Sequence, residues 1–464
     1  MKKNADQAAA QADAKLPLRV KAGFGIGDLG GNLFFTAMGS YSLIFLTDTV
    51  GISAALAGTA LLIGKIWDAV VDPFIGFYSD RTRSRWGRRR PWLLIGALPL
   101  LLTMWLFFST PDFRSAPVMG CVWAAFALCL LNTAYSAVNI PYGSLTPELT
   151  KDYKERTSLN GFRFGFAVIG TILGAAAVQP IVDLVGEPHR GFSVVGLVFG
   201  FIMAATILAT FFSVREPAHD GAAAKKLDFL PTFFGVFRNG VYLRLACVYM
   251  LNLIGITFVQ SMIVYYFKYF YQEDVSLALL ILLGVAMICV PVSVLASKRI
   301  GKKRTYQLAL MILTVACLVI FGFGHILGKN FTLAMMVFAG VGIGFGYVPP
   351  FAMLPDVVEV DAVRTKTRKE GAYYGMWTFC AQVGVALAGA ASGALLELAR
   401  YITPASAEQV VTQPDSAMLM IRVLLGPIPA AIFLLGVLLI QSYPIDEGTY
   451  DAIVAEGESA GAAL

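Results

Sequence analysis

The sequence predicts an all-α polytopic membrane protein with twelve transmembrane helices arranged as two halves of six. Three observations predict it: a deficit of charge, twelve apolar stretches of spanning length, and a regular alternation of basic and charge-poor gaps between them. Of 464 residues, 57% are apolar and 14% are charged, against about 25% charged in a soluble chain. Mean hydropathy is +0.69. A chain of this size with so little charge to cover its surface belongs in lipid. The formal charge of +6 invites nucleic acid as a partner, but the basic residues sit in short gaps between apolar runs, so none is expected. The six cysteines, at 121, 129, 247, 289, 317 and 380, lie inside those runs without a CxxC pair. They read as small apolar residues of helices. His189, His219 and His325 are too far apart in sequence to set a ligand spacing. No metal site and no cofactor are expected.

A span needs about 20 mostly apolar residues. The opening residues 1–21 are polar, lack a short apolar core with a cleavage site, and read as a cytosolic tail rather than a signal peptide. Six spans follow at 24–47, 52–78, 91–110, 117–143, 160–186 and 191–213. A polar loop, 214–240, separates them from six more at 241–271, 276–297, 305–326, 331–355, 371–399 and 417–442. Residues 443–464 form a second cytosolic tail. The two six-helix bundles therefore occupy 22–213 and 241–442. Gaps alternate in charge. The tail and every second gap hold 27 Lys and Arg between them, and the intervening gaps hold only Arg114, Arg190, Lys329 and Arg400. The positive-inside rule then puts both termini in the cytosol, as an even helix count requires. The implied location is the cell's inner membrane.

Each half carries a basic, glycine-containing loop after its second span: 80–90 in the first and 298–304 in the second. A duplicated six-helix unit is the expected build of a secondary transporter that rocks about its midplane. Gly76-x-x-x-Asp80-Arg81 followed by Gly87-Arg88-Arg89 resembles the signature loop of the major facilitator superfamily. Asp80, Arg81 and Arg88, with Arg299 and Lys302 at the equivalent place, are the expected cytosolic gate.

Ionisable residues inside spans are costly in hydrocarbon, so they are read as functional. Span two contains Lys65-Ile-Trp-Asp68-Ala-Val-Val-Asp72-Pro73. Asp68 and Asp72 are four apart and share a helical face, and Lys65 can join it. Two carboxylates close together in low dielectric cannot both stay ionised without a cation, so a proton or Na⁺ must join them. That is the chemistry of a coupling-ion site, the alternative being a plain ion pair of Lys65 with one Asp. Span four offers Tyr135, Ser136 and Asn139, span one Asp28 and Asn32, and span five Arg163, read either as a cargo contact or as an arginine snorkelling to the interface. Span ten ends near Tyr347, and span eleven carries Tyr374, Trp377, Thr378 and Gln382. Aromatic rings beside amides and hydroxyls suit a sugar, whose CH faces stack while its hydroxyls need paired donors and acceptors.

At these residues the chain resembles the glycoside–pentoside–hexuronide:cation symporters, the family of the melibiose permease. The resemblance covers nearly the whole chain. It is densest in FLTDTVG, IWDAVVDPFIGFYSDRTRSRWGRRRPWLLIG, NIPYGSLTPELTKDYKERTSL with FRFGFA, PDVVEVD and EGAYYGMWTFCAQVG. It implies that Asp68 and Asp72 are the paired cation carboxylates, with Ser136 a hydroxyl beside them. It also implies that Asn32, Tyr135, Asn139, Arg163, Tyr347, Thr378 and Gln382 line or support a sugar site, to which Trp377 is added from its place beside Thr378. The departures narrow this. The family's melibiose permease has Asn at the position of Val71, Asp at those of Asn32 and Asn139, Lys at that of Gln382 and Trp at that of Gly143. Val71 offers no oxygen to Na⁺, so H⁺ is the first choice of coupling ion and Na⁺ the second. The expectation is a non-enzymatic, monomeric symporter moving a sugar or glycoside across the bilayer by alternating access. A lipid or other amphiphile as cargo, or a non-transporting membrane sensor, is the alternative.

Overall fold

The computed structural model describes residues 16–149, 153–216, 235–365, 370–406, 411–445, 448–450 and 453. Most of the two expected tails, and much of the expected central loop, lie outside the described residues. The described residues are helical and contain no strand. Helices α1 (Leu18–Thr49), α2 (Ala54–Arg81), α3 (Arg90–Phe108), α4 (Pro117–Leu149), α5 (Tyr153–Ala176) and α6 (Pro188–Ser213) lie in the first half. Helices α7 (Gly240–Tyr271), α8 (Ser276–Ile300), α9 (Lys302–Val319), α10 (His325–Thr365), α11 (Glu370–Leu398) and α12 (Asp415–Gln441) lie in the second.

Among the described residues, eleven apolar helical stretches are long enough to cross a membrane, and the longest, Lys302–Thr365, runs 64 residues. At 1.5 Å per residue it would be about 96 Å, three times a hydrocarbon core. Gly328 divides it, with φ 80° and ψ −173°, and a π-turn at Ile320–Gly324 precedes the break. The stretch is thus two spans, α9 and α10, and the described residues hold the expected twelve. Span five differs from expectation. It stops at Ala176 and resumes as a short helix, Val178–Val185, because Pro180 has no N–H to donate to the carbonyl four residues back. Helix α12 is likewise broken at Gly426, ahead of Pro427.

The chain forms two compact units, Met1–Ala222 with Thr403–Val411, and Ala223–Ile402 with Thr412–Leu464. The sequence placed 403–411 in the second bundle. Its assignment to the first has a visible contact, since Arg114 Nε donates to the Pro404 carbonyl at 2.7 Å. Within the first unit α1 packs on α5, α2 on α4 and α3 on α6. Within the second, α7 packs on α11, α8 on α10 and α9 on α12. The same pairing in both halves is the duplication seen in the loops. Outward-facing side chains such as Ile95, Leu98, Phe201, Ile288 and Leu438 are exposed and apolar, as contact with lipid tails demands.

Close approach of α1 and α5 depends on small residues, as membrane helix interfaces generally do. A Cβ at Gly170 would fall 2.1 Å from the Leu29 carbonyl oxygen. Gly170→Leu should therefore separate α1 from α5 and give little folded protein, whereas Gly161→Ala, where a Cβ meets nothing within 4 Å, should be neutral. Size-exclusion profiles of the two solubilised variants check this.

Candidate functional site

Helix α2 is held against α4 by a ladder of polar contacts that fixes the coupling residues. Ser53 caps the start of α2 by accepting from the Leu56 amide. Further along, Asn132 donates to the Gly64 carbonyl at 2.8 Å and Trp67 Nε1 to Thr133 Oγ1 at 2.9 Å. One turn on, the Ser136 hydroxyl oxygen lies 3.1 Å from Asp68 Oδ1 and 2.6 Å from Asp72 Oδ1. Asp68 is only 3% exposed and receives Lys65 Nζ at 3.3 Å on its other oxygen. The α2 helix continues through Pro73, although Pro73 leaves the Ala69 carbonyl without its intrahelical donor. The expected face of Lys65, Asp68 and Asp72 is therefore assembled, with Ser136 joining the two carboxylates.

Aromatic rings continue this cluster toward α1. Tyr135 stacks on Phe34 with centroids 4.3 Å apart and meets Phe35 edge-on at 5.4 Å. Lys65 Nζ lies 5.8 Å from the Phe35 centroid, so one phenyl ring bridges the lysine and the tyrosine. Asn32 turns back on its own helix, donating to the Asp28 carbonyl at 2.8 Å. Asn139 is exposed on α4. Phe34 and Phe35 were not singled out from the sequence. Their signal is weak, since any apolar helix has such residues.

Arg163 does not stand free. Its Nε donates to Asp28 Oδ2 at 2.5 Å and Nη2 to Asp28 Oδ1 at 3.2 Å, a two-pronged ion pair. Nη1 donates to Thr146 Oγ1 at 3.0 Å. Tyr142 completes the cluster, within 2.8 Å of both Asp28 Oδ2 and the Phe24 carbonyl. The Arg163 side chain remains 26% exposed. The cluster is a clamp joining α1, α4 and α5.

In the second unit Trp377 is buried in the core, stacked on Tyr249 at 4.3 Å and 10°. Phe351 contacts Tyr249 edge-on and sits 5.9 Å from Tyr347. Tyr347 and Trp377 thus belong to one aromatic group with two rings, Tyr249 and Phe351, that the sequence did not mark. Thr378 is exposed and donates to the Tyr374 carbonyl, and Gln382 is half-buried on the same helix.

Of the expected gate residues with described side chains, Arg88 and Lys302 approach acidic groups, and Arg81 and Arg299 are exposed. The amides of Arg88, Arg89 and Arg90 all donate to the Glu216 carboxylate, at 3.1, 3.0 and 3.3 Å, and the Arg88 side chain approaches it at 3.7 Å. Glu216 thereby caps α3, a favourable place for negative charge. Gly87 is required beside it. Its φ is 102°, and a Cβ there would fall 2.2 Å from Glu216 Oε2. Lys302 donates to both oxygens of Asp356, at 2.9 and 2.6 Å. The Arg81 guanidinium lies over the Phe77 ring, and Arg299 is exposed. The side chain of Asp80 lies outside the described residues.

The family model described as MFS/sugar transport protein matches residues 23–447. The chain belongs to that family. It is a multi-pass membrane transporter of the major facilitator superfamily and not an enzyme. Among its curated relatives, an uncharacterized symporter of Synechocystis sp. is 30% identical, covering 95% of this chain and 96% of its own. The isoprimeverose transporter of Lactiplantibacillus pentosus is 28% identical, over 83% of this chain and 81% of its own. A sodium-dependent lysophosphatidylcholine symporter of Danio rerio is 26% identical, over 94% and 88%. The crystal structure of the nucleoside transporter NupG superposes with a TM-score of 0.62 at 15% identity, covering 92% of this chain and 98% of that one, which speaks to the fold alone.

Proposed function

We propose that this family member couples inward movement of H⁺ to uptake of a sugar or glycoside by alternating access, with both termini in the cytosol. The observation that carries the coupling is the shared Ser136 hydroxyl. A hydroxyl has one proton to donate, yet its oxygen is within hydrogen-bond distance of two carboxylates. A carboxylic acid donating to the Ser136 oxygen satisfies both contacts at once. Asp68 already has Lys65 as its cation. Asp72 carries the extra proton, giving an unbroken line from the Asp72 O–H to the Ser136 oxygen and from the Ser136 O–H to Asp68. Na⁺ wants several oxygens at once, and Val71, on the helix beside them, supplies none.

Loading and emptying this line switches the buried charge of α2 by one unit. Asn32, Tyr135, Asn139, Arg163, Tyr347, Trp377, Thr378 and Gln382 are the proposed cargo-handling groups. Asp80, Arg81, Arg88, Arg299 and Lys302 are the proposed cytosolic gate. Sugar as cargo is supported by the family description and the isoprimeverose relative. The lysophosphatidylcholine relative keeps an amphiphile as the second reading. Proteoliposomes holding the purified protein separate these. An inside-alkaline pH gradient without Na⁺ should drive accumulation of at least one labelled mono- or disaccharide, and rising external pH should weaken uptake as Asp72 fails to load. Uptake driven by Na⁺ and indifferent to pH would refute proton coupling. Movement of lysophosphatidylcholine but of no sugar would refute the cargo.

A further inference from the structure

At the start of α7 the second unit contains a cavity of about 510 Å³, lined by Arg238, Arg244 and Arg364 and by one carboxylate, Asp361. Several cations elsewhere among the described residues have acidic partners: Lys21 with Glu155, Lys65 with Asp68, Arg163 with Asp28, Lys302 with Asp356. Here the balance is reversed. Asp361 is engaged by neutral groups, the Asn239 amide at 3.4 Å and the Tyr373 hydroxyl, and Arg244 donates to the Ser442 carbonyl at 2.9 Å. Arg238 and Arg364 have no hydrogen-bond or ion-pair partner among the described residues. Three guanidinium groups line one space that holds a single carboxylate.

Two further features suit that space to an anion. The amino-terminal end of α7 opens into it, where the helix dipole favours negative charge. Asn239 already caps the Val241 and Tyr242 amides, and a Cβ at Gly240 would meet nothing within 4 Å. The remaining wall is apolar, from Val357, Val360 and Ile445. Guanidinium forks match phosphate oxygens in pairs, and the apolar wall suits the body that carries the phosphate. We infer that this cavity binds a phosphate ester, its phosphate held by Arg238, Arg244 and Arg364. The source is either a phospholipid headgroup or a soluble phosphorylated metabolite, and occupancy ties α7, α10 and α11 together at that end.

Thermal melting of the full-length protein in neutral detergent tests this with two probes, glycerol 3-phosphate and short-chain phosphatidylglycerol, against phosphatidylcholine. A saturable rise in Tm with glycerol 3-phosphate identifies a soluble ligand. A rise with phosphatidylglycerol alone identifies a headgroup. In either case Arg238→Gln and Arg364→Gln should each weaken binding about tenfold, as loss of a charge-assisted hydrogen-bonding group implies. Gly240→Leu fills the cavity without altering charge and should abolish the shift, so a variant that folds poorly does not decide the matter alone. The proposal is overturned if neither probe shifts the wild type beyond phosphatidylcholine, or if Gly240→Leu and both arginine variants bind as the wild type does.

Discussion

Asp72→Asn should reduce this transporter to an exchanger. The substituted side chain keeps the shape of a protonated carboxyl and can still bond Ser136, so the loaded form persists. It has no proton to release, so the cycle cannot reset with an empty carrier. For a carrier moving one proton per cargo, each pH unit of gradient is worth about 1.4 kcal/mol, or about tenfold accumulation. Asp72→Asn should bring that ratio to one while labelled cargo on one side still exchanges with unlabelled cargo on the other. Undiminished accumulation by the variant would end the coupling proposal. Asp68→Asn is a poorer probe, because it strips Lys65 of its partner and mixes a folding defect into the transport readout.

The second large effect is at the clamp. Asp28→Asn leaves Arg163 as an uncompensated, partly buried cation, and breaking a buried pair from one side costs about 3–5 kcal/mol. The solubilised protein should melt several degrees lower. Combining Asp28→Asn with Arg163→Met removes the stranded charge, so the double variant should recover a substantial part of the loss. Strict additivity of the two single effects would show that the pair does not act as a unit. Arg163→Met by itself also separates clamp from cargo contact. A clamp residue lowers Tm, whereas a direct cargo contact lowers affinity with Tm unchanged.

The twelve spans were legible because hydropathy and loop charge answer to the bilayer, which acts on every helix in the same way. The carboxylate pair was legible because helical period four puts Asp68 and Asp72 on one face, wherever the helix sits. Partners far apart in the chain were not. Asp28 and Arg163 are separated by 135 positions, and period alone says nothing about which face of α5 meets α1. Glu216 was passed over because it looks like one loop acid among several. Its significance comes from three amides more than 120 residues earlier. Proline alone did not decide where a helix breaks. Pro73 leaves α2 continuous, while Pro180 accompanies a break, because neighbouring helices hold α2 in place through the Asn132, Thr133 and Ser136 ladder.

The Glu216 cap also bears on where this polypeptide can be divided. Hydropathy ends the sixth span at Ser213, and a cut placed there would send Glu216 away with the wrong fragment, leaving three amides at the head of α3 without an acceptor. A cut within 217–234 keeps Glu216 on the amino-terminal fragment and Asn239, the cap of α7, on the other. Two separately expressed polypeptides split at that point would each retain the residues that finish their own first and last turns. That makes the stretch a natural place to join fluorescent reporters or to test complementation of co-expressed halves.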